Sequence, residues 1–403
     1  MSGVTTRSVA IAYDCLFPLT TGGGERQYRA FAEDLGARGL EVDYLTARQW
    51  TDNPPAADGF RISAVTDALR LYDDRGVRRT PAALAFAWGL FRALRRKRRQ
   101  YDVIVVSALP VLNVFAARVA LWRSGTSIVV DYLEVWHRRQ WVEYAGALTG
   151  TIAWALQRLA IAMTPIATCH SKLSADRLRA EGLRREALIS PGLISPRDQE
   201  PVPSDAASPP FALYAGRHIP DKRVESLPAA VAHARTDVPD LRLVILGDGP
   251  SSDAVRAEVA RQPSGDQWIS MPGFVSEVDL AELMSTAACL VNPSRREGYG
   301  LVVVEAAAYG TPAVLVAGED NASTELVEDG VNGYVAPDAS ASELGDTISH
   351  TVLSGAKLRD TTRDWYRDAV SNRTISRTID ALLLQLETTP GPARFGLRKQ
   401  KHQ

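Results

Sequence analysis

The segment ACLVNPSRREGYGLVVVEAAAYGTPAVLV, residues 288–316, predicts the fold class of the chain. It opens with a short apolar run typical of a buried strand, and a loop with two glycines follows. LVVV alone fits a strand or a helix, but the Ala-rich continuation and the stop at Gly310-Thr311-Pro312 favour a helix. A second apolar run then begins another strand. This succession of strand, helix and strand indicates a parallel sheet with crossover helices.

The same alternation extends along the chain. Before residue 195, strands are predicted at 8–14, 41–47, 102–108, 126–133, 165–170 and 186–190. After residue 210, strands are predicted at 211–217, 241–250, 267–274, 288–294, 311–318 and 332–337. Helical patterns such as 24–39 lie between the strands. Five prolines among residues 196–210 leave little to bury and indicate a linker.

We therefore predict an α/β protein with two Rossmann-like, doubly wound domains. The N-terminal domain is expected at 1–195 and the C-terminal domain at 211–373, with the linker at 196–210 between them. A helix at 374–388 is expected to pack back on the N-terminal domain, before a disordered basic tail at 389–403. Ligands of open α/β sheets bind beyond the carboxyl ends of the strands, so two such domains facing a central cleft would hold a ligand there.

Composition narrows the function classes. The 403 residues include 46 basic and 47 acidic side chains, a net charge of −1, which argues against a nucleic-acid partner. Cys15, Cys169 and Cys289 lie far apart, so a reducing compartment is expected. Neither a signal peptide nor an apolar stretch of about 20 residues is evident. We expect a cytoplasmic protein, with the inner face of the cell membrane as the alternative location.

Two glycine turns follow predicted strands in the C-terminal domain. Gly216 and Arg217 end one strand, and Lys222 follows five residues later. The planar guanidinium and the ammonium together suit a diphosphate, although a solvated basic loop would have the same composition. Gly247 opens the turn Gly-Asp-Gly-Pro after the next strand, where it fits a nucleotide-binding loop or a plain turn.

The loop at 294–300 has the clearest chemistry. A glycine-containing loop that opens a helix exposes N–H groups and suits an anion such as a phosphate. Glu297 in the loop and Glu305 in the helix could accept hydrogen bonds from sugar hydroxyls. The alternative is an ordinary strand–loop–helix connection with acidic surface residues.

These motifs resemble the retaining glycosyltransferases of family 4 (group 1), which have the GT-B fold. Glu297 and Glu305 have seven residues between them in a Glu-Gly-Tyr-Gly-Leu context. Arg217 and Lys222 match the diphosphate-binding pair of that family, and GGGER at 22–26 matches its N-terminal glycine loop. The resemblance covers about residues 8–375. It implies a hexosyltransferase that moves a sugar from a UDP- or GDP-sugar to a lipid-linked, glycan or natural-product hydroxyl acceptor.

The resemblance also implies a role for each matching residue. Arg217 and Lys222 neutralise the donor diphosphate and the charge of the leaving group, Glu297 meets the transferred sugar, and Glu305 accepts from the ribose hydroxyls. The remaining donor-side positions are the glycines Gly23, Gly24, Gly216 and Gly247, the nucleobase contacts Phe274 and Val275, and the backbone of Tyr299, Gly300 and Leu301. No cofactor and no metal ion is expected, because Arg, Lys and a helix N-terminus supply the electrostatic stabilisation.

One family position departs from the pattern. Members often carry a His near the reacting carbon after an N-terminal strand, and the matching stretch here is DYLEVWH at 131–137. Either Glu134 or His137 could take that role, and a His beside a Trp could equally be structural. In the direct retaining mechanism, a diphosphate oxygen can itself take the acceptor's proton, so no separate general base is required.

A basic run in the N-terminal domain has two interpretations. Its members are Arg92, Arg95, Arg96, Lys97, Arg98 and Arg99. They could contact anionic lipid headgroups, or they could be the solvated end of a helix. A second segment, 147–163, is apolar around much of its circumference, for which core packing is the expected cause.

Two other functions use a similar architecture. A sugar-nucleotide epimerase of the same fold lacks the Glu-x7-Glu context found here, and a glucan synthase is normally longer. A non-catalytic nucleotide-sugar-binding protein would be favoured by neutral substitutions in the donor motif. The presence of Arg217, Lys222, Glu297 and Glu305 favours the transferase.

Overall fold

The computed structural model describes residues 7–20, 22–72, 78–190 and 204–388. The chain divides into two compact units, which are Met1–Ser195 with Arg373–Gln403 (unit 1) and Pro196–Asn372 (unit 2). The first part of the expected linker at 196–210 and the whole of the expected tail at 389–403 lie outside the described residues. Cys15, Cys169 and Cys289 are free thiols in buried positions.

Unit 1 is built on a seven-stranded sheet in the order β3-β2-β1-β4-β5-β6-β7. Its strands are β1 (Ser8–Ala12), β2 (Glu41–Ala47), β3 (Phe60–Thr66), β4 (Val103–Ser107), β5 (Ser127–Tyr132), β6 (Ile166–Cys169) and β7 (Leu188–Ile189). All neighbouring strands run parallel. The order reverses between β1 and β4, and such a switch point leaves a crevice at the carboxyl ends of the strands.

Helices cover both faces of this sheet. They are α1 (Gly23–Ala37), α2 (Thr80–Arg96), α3 (Leu112–Ala120), α4 (Arg138–Ala145), α5 (Ala147–Met163) and α6 (Lys172–Ala180). On one face, Phe86 of α2, Ala117 of α3 and Ile161 of α5 belong to a single hydrophobic core. On the other face, α1 buries an apolar stripe that includes Tyr28 and Phe31.

Unit 2 is built on a six-stranded parallel sheet in the order β10-β9-β8-β11-β13-β15, beside a two-stranded pair of β12 and β14. The strands are β8 (Phe211–Ala215), β9 (Arg242–Leu246), β10 (Ile269–Gly273), β11 (Cys289–Asn292), β12 (Arg296–Glu297), β13 (Ala313–Val316), β14 (Asp320–Asn321) and β15 (Gly333–Ala336). The order reverses between β8 and β11. Each strand predicted from the sequence is present in the two units, and β3, β12 and β14 are additional.

The helices of unit 2 pack around this sheet. They are α7 (Leu227–Ala234), α8 (Ser252–Arg261), α9 (Gly265–Trp268), α10 (Glu277–Thr286), α11 (Leu301–Ala307) and α12 (Ala341–Asn372), with short 3-10 helices at Pro220–Lys222, Val224–Ser226 and Ala322–Leu326. α12 is kinked at Gly355, where φ is +59°. Leu227 of α7 and Ile348 of α12 share the core with β8 and β11.

The last helix, α13 (Ile375–Thr388), belongs to unit 1. Its Ile379 and Leu382 lie in the same core as Tyr28 of α1. Arg38, just after α1, donates to the carboxylate of Asp380 at 2.5 Å. The apolar contacts and this ion pair dock α13 on the sheet face that α1 covers.

Arg359 is a buried residue whose side chain joins separate segments of unit 2. Its side chain is 4% exposed on α12. One guanidinium nitrogen donates to the Ala287 carbonyl oxygen at 2.6 Å, and the other donates to the carbonyl oxygens of Ser285 at 2.5 Å and Ser204 at 2.9 Å. The planar fork thus ties α12 to the end of α10 and to the segment that leads into β8.

Replacing Arg359 with Met should lower the free energy of unfolding of unit 2 by about 2–4 kcal/mol, because buried carbonyl oxygens lose their donors. Urea unfolding followed by circular dichroism measures the loss. The matched change Arg367→Met removes an exposed arginine whose partner is Asp364 at 3.1 Å, and it should cost less than about 0.5 kcal/mol. Equal stability of the two variants would contradict the supporting role of Arg359.

Candidate functional site

The carboxyl ends of β8, β9 and β10 are joined through backbone contacts at glycines. The Gly216 N–H donates to the Leu246 carbonyl oxygen at 3.3 Å, and the Gly247 N–H donates to the Gly273 carbonyl oxygen at 2.8 Å. Gly247 has φ +102°, and a Cβ atom there would lie 2.0 Å from the Gly216 carbonyl oxygen. Only glycine permits this close approach. The structure therefore brings the turns at 216 and 247 and the start of the 274–275 segment to one edge of the sheet.

An ion pair lies at the switch point between β8 and β11. Lys222 ends the 3-10 helix after β8, and its Nζ pairs with Oε2 of Glu297 in β12, 75 residues further along the chain. The two side chains are 21% and 18% exposed. The pair is thus shielded enough to be strong but still open to a ligand. Sequence reasoning singled out both residues without indicating that they contact each other.

Asp221 connects the two segments that carry this pair. Its carbonyl oxygen accepts from the Arg295 N–H at 2.8 Å. Its carboxylate accepts from the Arg295 side chain at 3.0 Å and from Arg296 at 3.3 Å. Arg223, which follows the pair's lysine, donates to the Pro293 carbonyl oxygen at 2.8 Å. These four residues were missed by the sequence motifs, because their partners are distant in sequence.

The loop before α11 is fixed by two further contacts. Gly300 has φ +99°, and a Cβ atom there would lie 2.5 Å from Cβ of Ser323. The side-chain amide of Asn321 donates to the Ser294 carbonyl oxygen at 3.1 Å. Tyr299 is buried at this bend. Leu301 begins α11 and Glu305 lies half-buried within it. The contacts with Asn321 and Ser323 therefore fix the loop that carries the expected donor residues.

Other expected donor residues lie at the same sheet edge. Arg217 is exposed, and its carbonyl oxygen accepts from the Tyr214 hydroxyl at 3.1 Å. Burial, with the charge of Glu297, raises the pKa of Tyr214, so this hydroxyl stays protonated as a donor. Phe274 follows β10 and is 76% exposed, beside the half-buried Val275. An exposed aromatic ring after a strand of this sheet fits the expected nucleobase contact.

His218 has a supporting position behind this edge. Its ring is buried, with Nδ1 2.8 Å from Oγ of Ser252 and Nε2 3.4 Å from the Leu246 carbonyl oxygen. Burial lowers the pKa of His218, which favours the neutral imidazole. The residue connects the turn after β8 to the start of α8 and holds the glycine turns in place.

In unit 1, the glycine loop at 22–26 meets the segment that follows β5. Gly23 begins α1 and is exposed. A Cβ atom on Gly24 would lie 3.0 Å from Cδ1 of Leu133 and 3.1 Å from the Tyr13 hydroxyl. Little room remains for a larger residue. The structure thus brings together the N-terminal motif and the 131–137 segment, which the sequence singled out separately.

Asp131 is the centre of a buried hydrogen-bond network at the end of β5. Its carboxylate accepts from the hydroxyls of Tyr28 at 2.6 Å and Thr168 at 2.5 Å, and it lies 3.0 Å from Nε2 of His170. Gln27 donates to it at 3.3 Å. Burial alone would raise the pKa of Asp131, but the His170 charge and these hydrogen bonds hold it below its ordinary value. The network fixes α1 against β5 and β6.

Glu134 and His137 each have a partner within unit 1. Oε2 of Glu134 accepts from the Trp136 indole N–H at 2.8 Å. Nδ1 of His137 lies 2.6 Å from the buried carboxylate of Glu181, which also accepts from the Trp154 indole N–H at 2.9 Å. These contacts orient both side chains. A catalytic role for either residue stays a prediction.

Neither a three-residue metal cluster nor a membrane-spanning helix occurs in the described part of the chain. Residues 7–20, 22–72, 78–190 and 204–388 contain no group of three His, Cys, Asp or Glu side chains arranged to hold a metal ion. Within the same ranges, no helix is long and apolar enough to span a bilayer. Metal independence of the reaction stays a prediction.

Comparison with known families identifies the class of protein. A family model described as glycosyl transferases group 1 matches residues 197–366, and one described as a glycosyl transferase 4-like domain matches residues 22–192. Each match lies within one of the two units and covers most of it. The chain belongs to the group 1 glycosyltransferases, as the motifs suggested.

Individual relatives agree with this family. An α-D-kanosaminyltransferase from Streptomyces kanamyceticus is 31% identical over 151 residues, which are 38% of this chain and 38% of that protein. The chain thus spans well under half the length of this relative. A D-inositol 3-phosphate glycosyltransferase from Kineococcus radiotolerans is 25% identical over 87% of this chain and 91% of that protein.

A solved structure has the same fold. A sucrose-phosphate synthase from Thermosynechococcus elongatus superimposes with a TM-score of 0.75 at 19% identity, over 94% of this chain and 99% of that chain. At that identity the similarity concerns the fold alone. Together with the two parallel-sheet units, it confirms the predicted GT-B fold class.

The Asp131 network should make unit 1 sensitive to acid. Because the folded-state pKa of Asp131 is lowered, its contribution to stability is present above the unfolded-state pKa, about 3.9, and is lost as pH falls through the folded-state pKa. Asp131→Asn should lower the free energy of unfolding at neutral pH by about 3 kcal/mol. The difference from wild type should shrink below about pH 4.

Urea unfolding at a series of pH values measures this difference. Asp176→Asn is the control, because Asp176 is exposed on α6 and pairs with Arg179 at 3.3 Å on the surface. A stability gap for Asp131→Asn that stays constant from neutral to acidic pH would exclude the carboxylate charge as its cause.

Proposed function

We propose that the protein is a retaining, metal-independent glycosyltransferase that moves a sugar from a UDP- or GDP-sugar to a hydroxyl acceptor. The observation that carries the proposal is the Lys222–Glu297 ion pair at the switch point of unit 2. Two opposite charges exposed at the carboxyl ends of parallel strands can each take a different part of one ligand. A nucleoside diphosphate sugar offers both an anion and hydroxyl donors.

Donor binding exchanges the partners of this pair. The diphosphate replaces the Glu297 carboxylate at Lys222, and the exposed Arg217 supplies a second cation. Glu297 then accepts from the hydroxyls of the transferred sugar. Both cations also stabilise the negative charge that grows on the leaving diphosphate, which is the electrostatic part of the catalysis.

The remaining donor contacts follow the same sheet edge. Glu305 accepts from the ribose hydroxyls, and the backbone of the bend at Gly300 approaches the sugar and phosphate. Phe274, exposed after β10, covers the nucleobase together with Val275. Glycine at 216 and 247 allows the ligand to approach the backbone closely.

Sugar transfer proceeds without a covalent intermediate. The acceptor hydroxyl attacks the face of the sugar that the diphosphate leaves, and a diphosphate oxygen takes the proton. Glu134 or His137 of unit 1 stabilises the reacting sugar, and Gly23 and Gly24 give the acceptor and phosphate close access to α1. The names of the kanosaminyltransferase and inositol 3-phosphate glycosyltransferase relatives support sugar transfer. The acceptor is a lipid-linked, glycan or natural-product hydroxyl.

Lys222→Ala should reduce turnover of the nucleotide sugar by about 10²–10³-fold, because it removes a preorganised charge from the leaving group. Glu297→Gln should reduce it by a smaller factor, about 10–100-fold, because only sugar contacts are weakened. Calorimetry with a panel of UDP- and GDP-sugars measures binding, and release of the nucleoside diphosphate measures slow hydrolysis and transfer. A chelator should leave the rate unchanged.

The control variants are Lys357→Ala and Glu282→Gln, which alter exposed residues on α12 and α10 of unit 2. Both should behave as wild type. Absence of binding to every nucleotide sugar would refute the proposal. Binding without turnover would favour a non-catalytic nucleotide-sugar-binding protein, and interconversion of the free nucleotide sugar would favour an epimerase.

A further inference from the structure

Three neighbouring helices of unit 1 have an unusual charge distribution. α2, α3 and α5 cover one face of the sheet, and none of them contains Asp or Glu. With 47 acidic residues in 403, a 17-residue helix such as α2 or α5 would carry about two. On the opposite face, α1 carries Glu33 and Asp34, and α13 carries Asp380. We refer to the outward sides of α2, α3 and α5, with the turns after α2 and α3, as the acid-free face.

The acid-free face carries several arginines without ion-pair partners. No ion pair is formed by five exposed arginines of this face, namely Arg92, Arg95, Arg96, Arg99 and Arg123, and other exposed arginines without an ion pair, such as Arg217 and Arg242, lie elsewhere in the described residues. Two members of the basic run are used internally, since Lys97 pairs with Asp43 at 2.7 Å and Arg98 donates to the Trp122 carbonyl oxygen. The remaining cations project from the protein without neutralisation.

Large apolar side chains are also exposed on the acid-free face. Trp88 on α2 is 60% exposed and stacks on Phe91 at 5.4 Å, and Trp122 after α3 is 62% exposed. On α5, Leu148, Ile152 and Leu159 are all more than half exposed. The expectation that 147–163 is apolar because of core packing is therefore wrong for its outer side. Ala160 and Ile161 do lie in the core.

We infer that the acid-free face docks on the surface of an anionic lipid bilayer. Arginines attract the phosphates of the headgroups, and indole rings are favoured at the boundary between headgroups and acyl chains. Leucine and isoleucine side chains gain by leaving water there. The acid-free face thus carries groups suited to the headgroup phosphates, to the headgroup–acyl boundary and to the outer part of the acyl chains. This inference is independent of the donor chemistry of unit 2.

The same features disfavour the other occupants of such a surface. Two copies of the acid-free face would bring unpaired arginines together, and like charges at an interface are repulsive. A nucleic acid would satisfy the arginines but would leave Leu148 and Ile152 against a phosphate backbone. An anionic bilayer accommodates both the arginines and the apolar side chains.

Vesicle flotation tests the inference on the full chain. Vesicles of phosphatidylcholine with roughly one-third phosphatidylglycerol should bind the protein, pure phosphatidylcholine should bind it at least tenfold less, and added salt should weaken binding. Reversing three charges, Arg92→Glu, Arg95→Glu and Arg99→Glu together, should reduce the partition coefficient at least tenfold, since each cation contributes about fivefold near such a surface. Trp88→Ala with Trp122→Ala should also reduce it about tenfold.

Matched changes in unit 2 control for nonspecific effects. Arg242→Glu, Arg256→Glu and Arg261→Glu reverse three exposed arginines, and Leu353→Ala removes a leucine that is 67% exposed. These variants should bind vesicles as wild type does. Circular dichroism checks that each variant is folded. Flotation requires no nucleotide sugar, so its result stands whether or not the proposed transferase activity is correct.

Several results would overturn the inference. They are an absence of flotation with anionic vesicles, an equal loss of binding in the unit 2 variants, and wild-type binding by the charge-reversed protein. Light scattering that shows a dimer which the Trp88 and Trp122 substitutions dissociate would instead assign the face to a second copy.

Discussion

The parallel pairing of β8 with β11 is the constraint on which the candidate site depends. Both strands end at the same edge, and the chain leaves them in opposite directions because the strand order reverses there. Lys222 and Glu297 can therefore meet although 75 residues separate them. Asp221 closes the remaining gap through Arg295 and Arg296. Ion pairs between side chains thus hold together the two segments that the strand order brings to the same edge.

The elements of the fold could be predicted from sequence because apolar periodicity reflects burial directly. The edge strand β3, Phe60–Thr66, escaped prediction because most of its side chains are partly exposed. The family motifs indicated which residues belong to the candidate site. The contacts of Asp221, Asn321 and His218 could not be predicted, because a hydrogen bond between distant segments leaves no spacing pattern. For 147–163, composition alone could not separate a buried apolar helix from one with an apolar outer surface.

In unit 1, a buried residue that supports the fold and a half-buried candidate site residue lie only three positions apart. Asp131 is buried in a network that fixes α1, whereas Glu134, a few residues later, is only half-buried. The carboxylate at the strand end thus holds the glycine loop in place, and the residues after it remain partly accessible. On the sheet face opposite α1, the outer sides of α2, α3 and α5 combine unpaired arginines with exposed tryptophans. One sheet therefore carries the candidate residues at the carboxyl ends of its strands and a distinct helical surface on one face.

The Lys222–Glu297 pair has a consequence for selectivity. In the structure each charge satisfies the other, so a ligand that separates them must bring its own negative charge. A free sugar lacks that charge and cannot compete for Lys222, whereas a diphosphate can. Under the proposed function, recognition of the sugar by Glu297 is then conditional on recognition of the phosphate. Under the proposed function, the ion pair would therefore keep uncharged sugars away from Glu297, and a nucleoside diphosphate without its sugar would still separate the two charges.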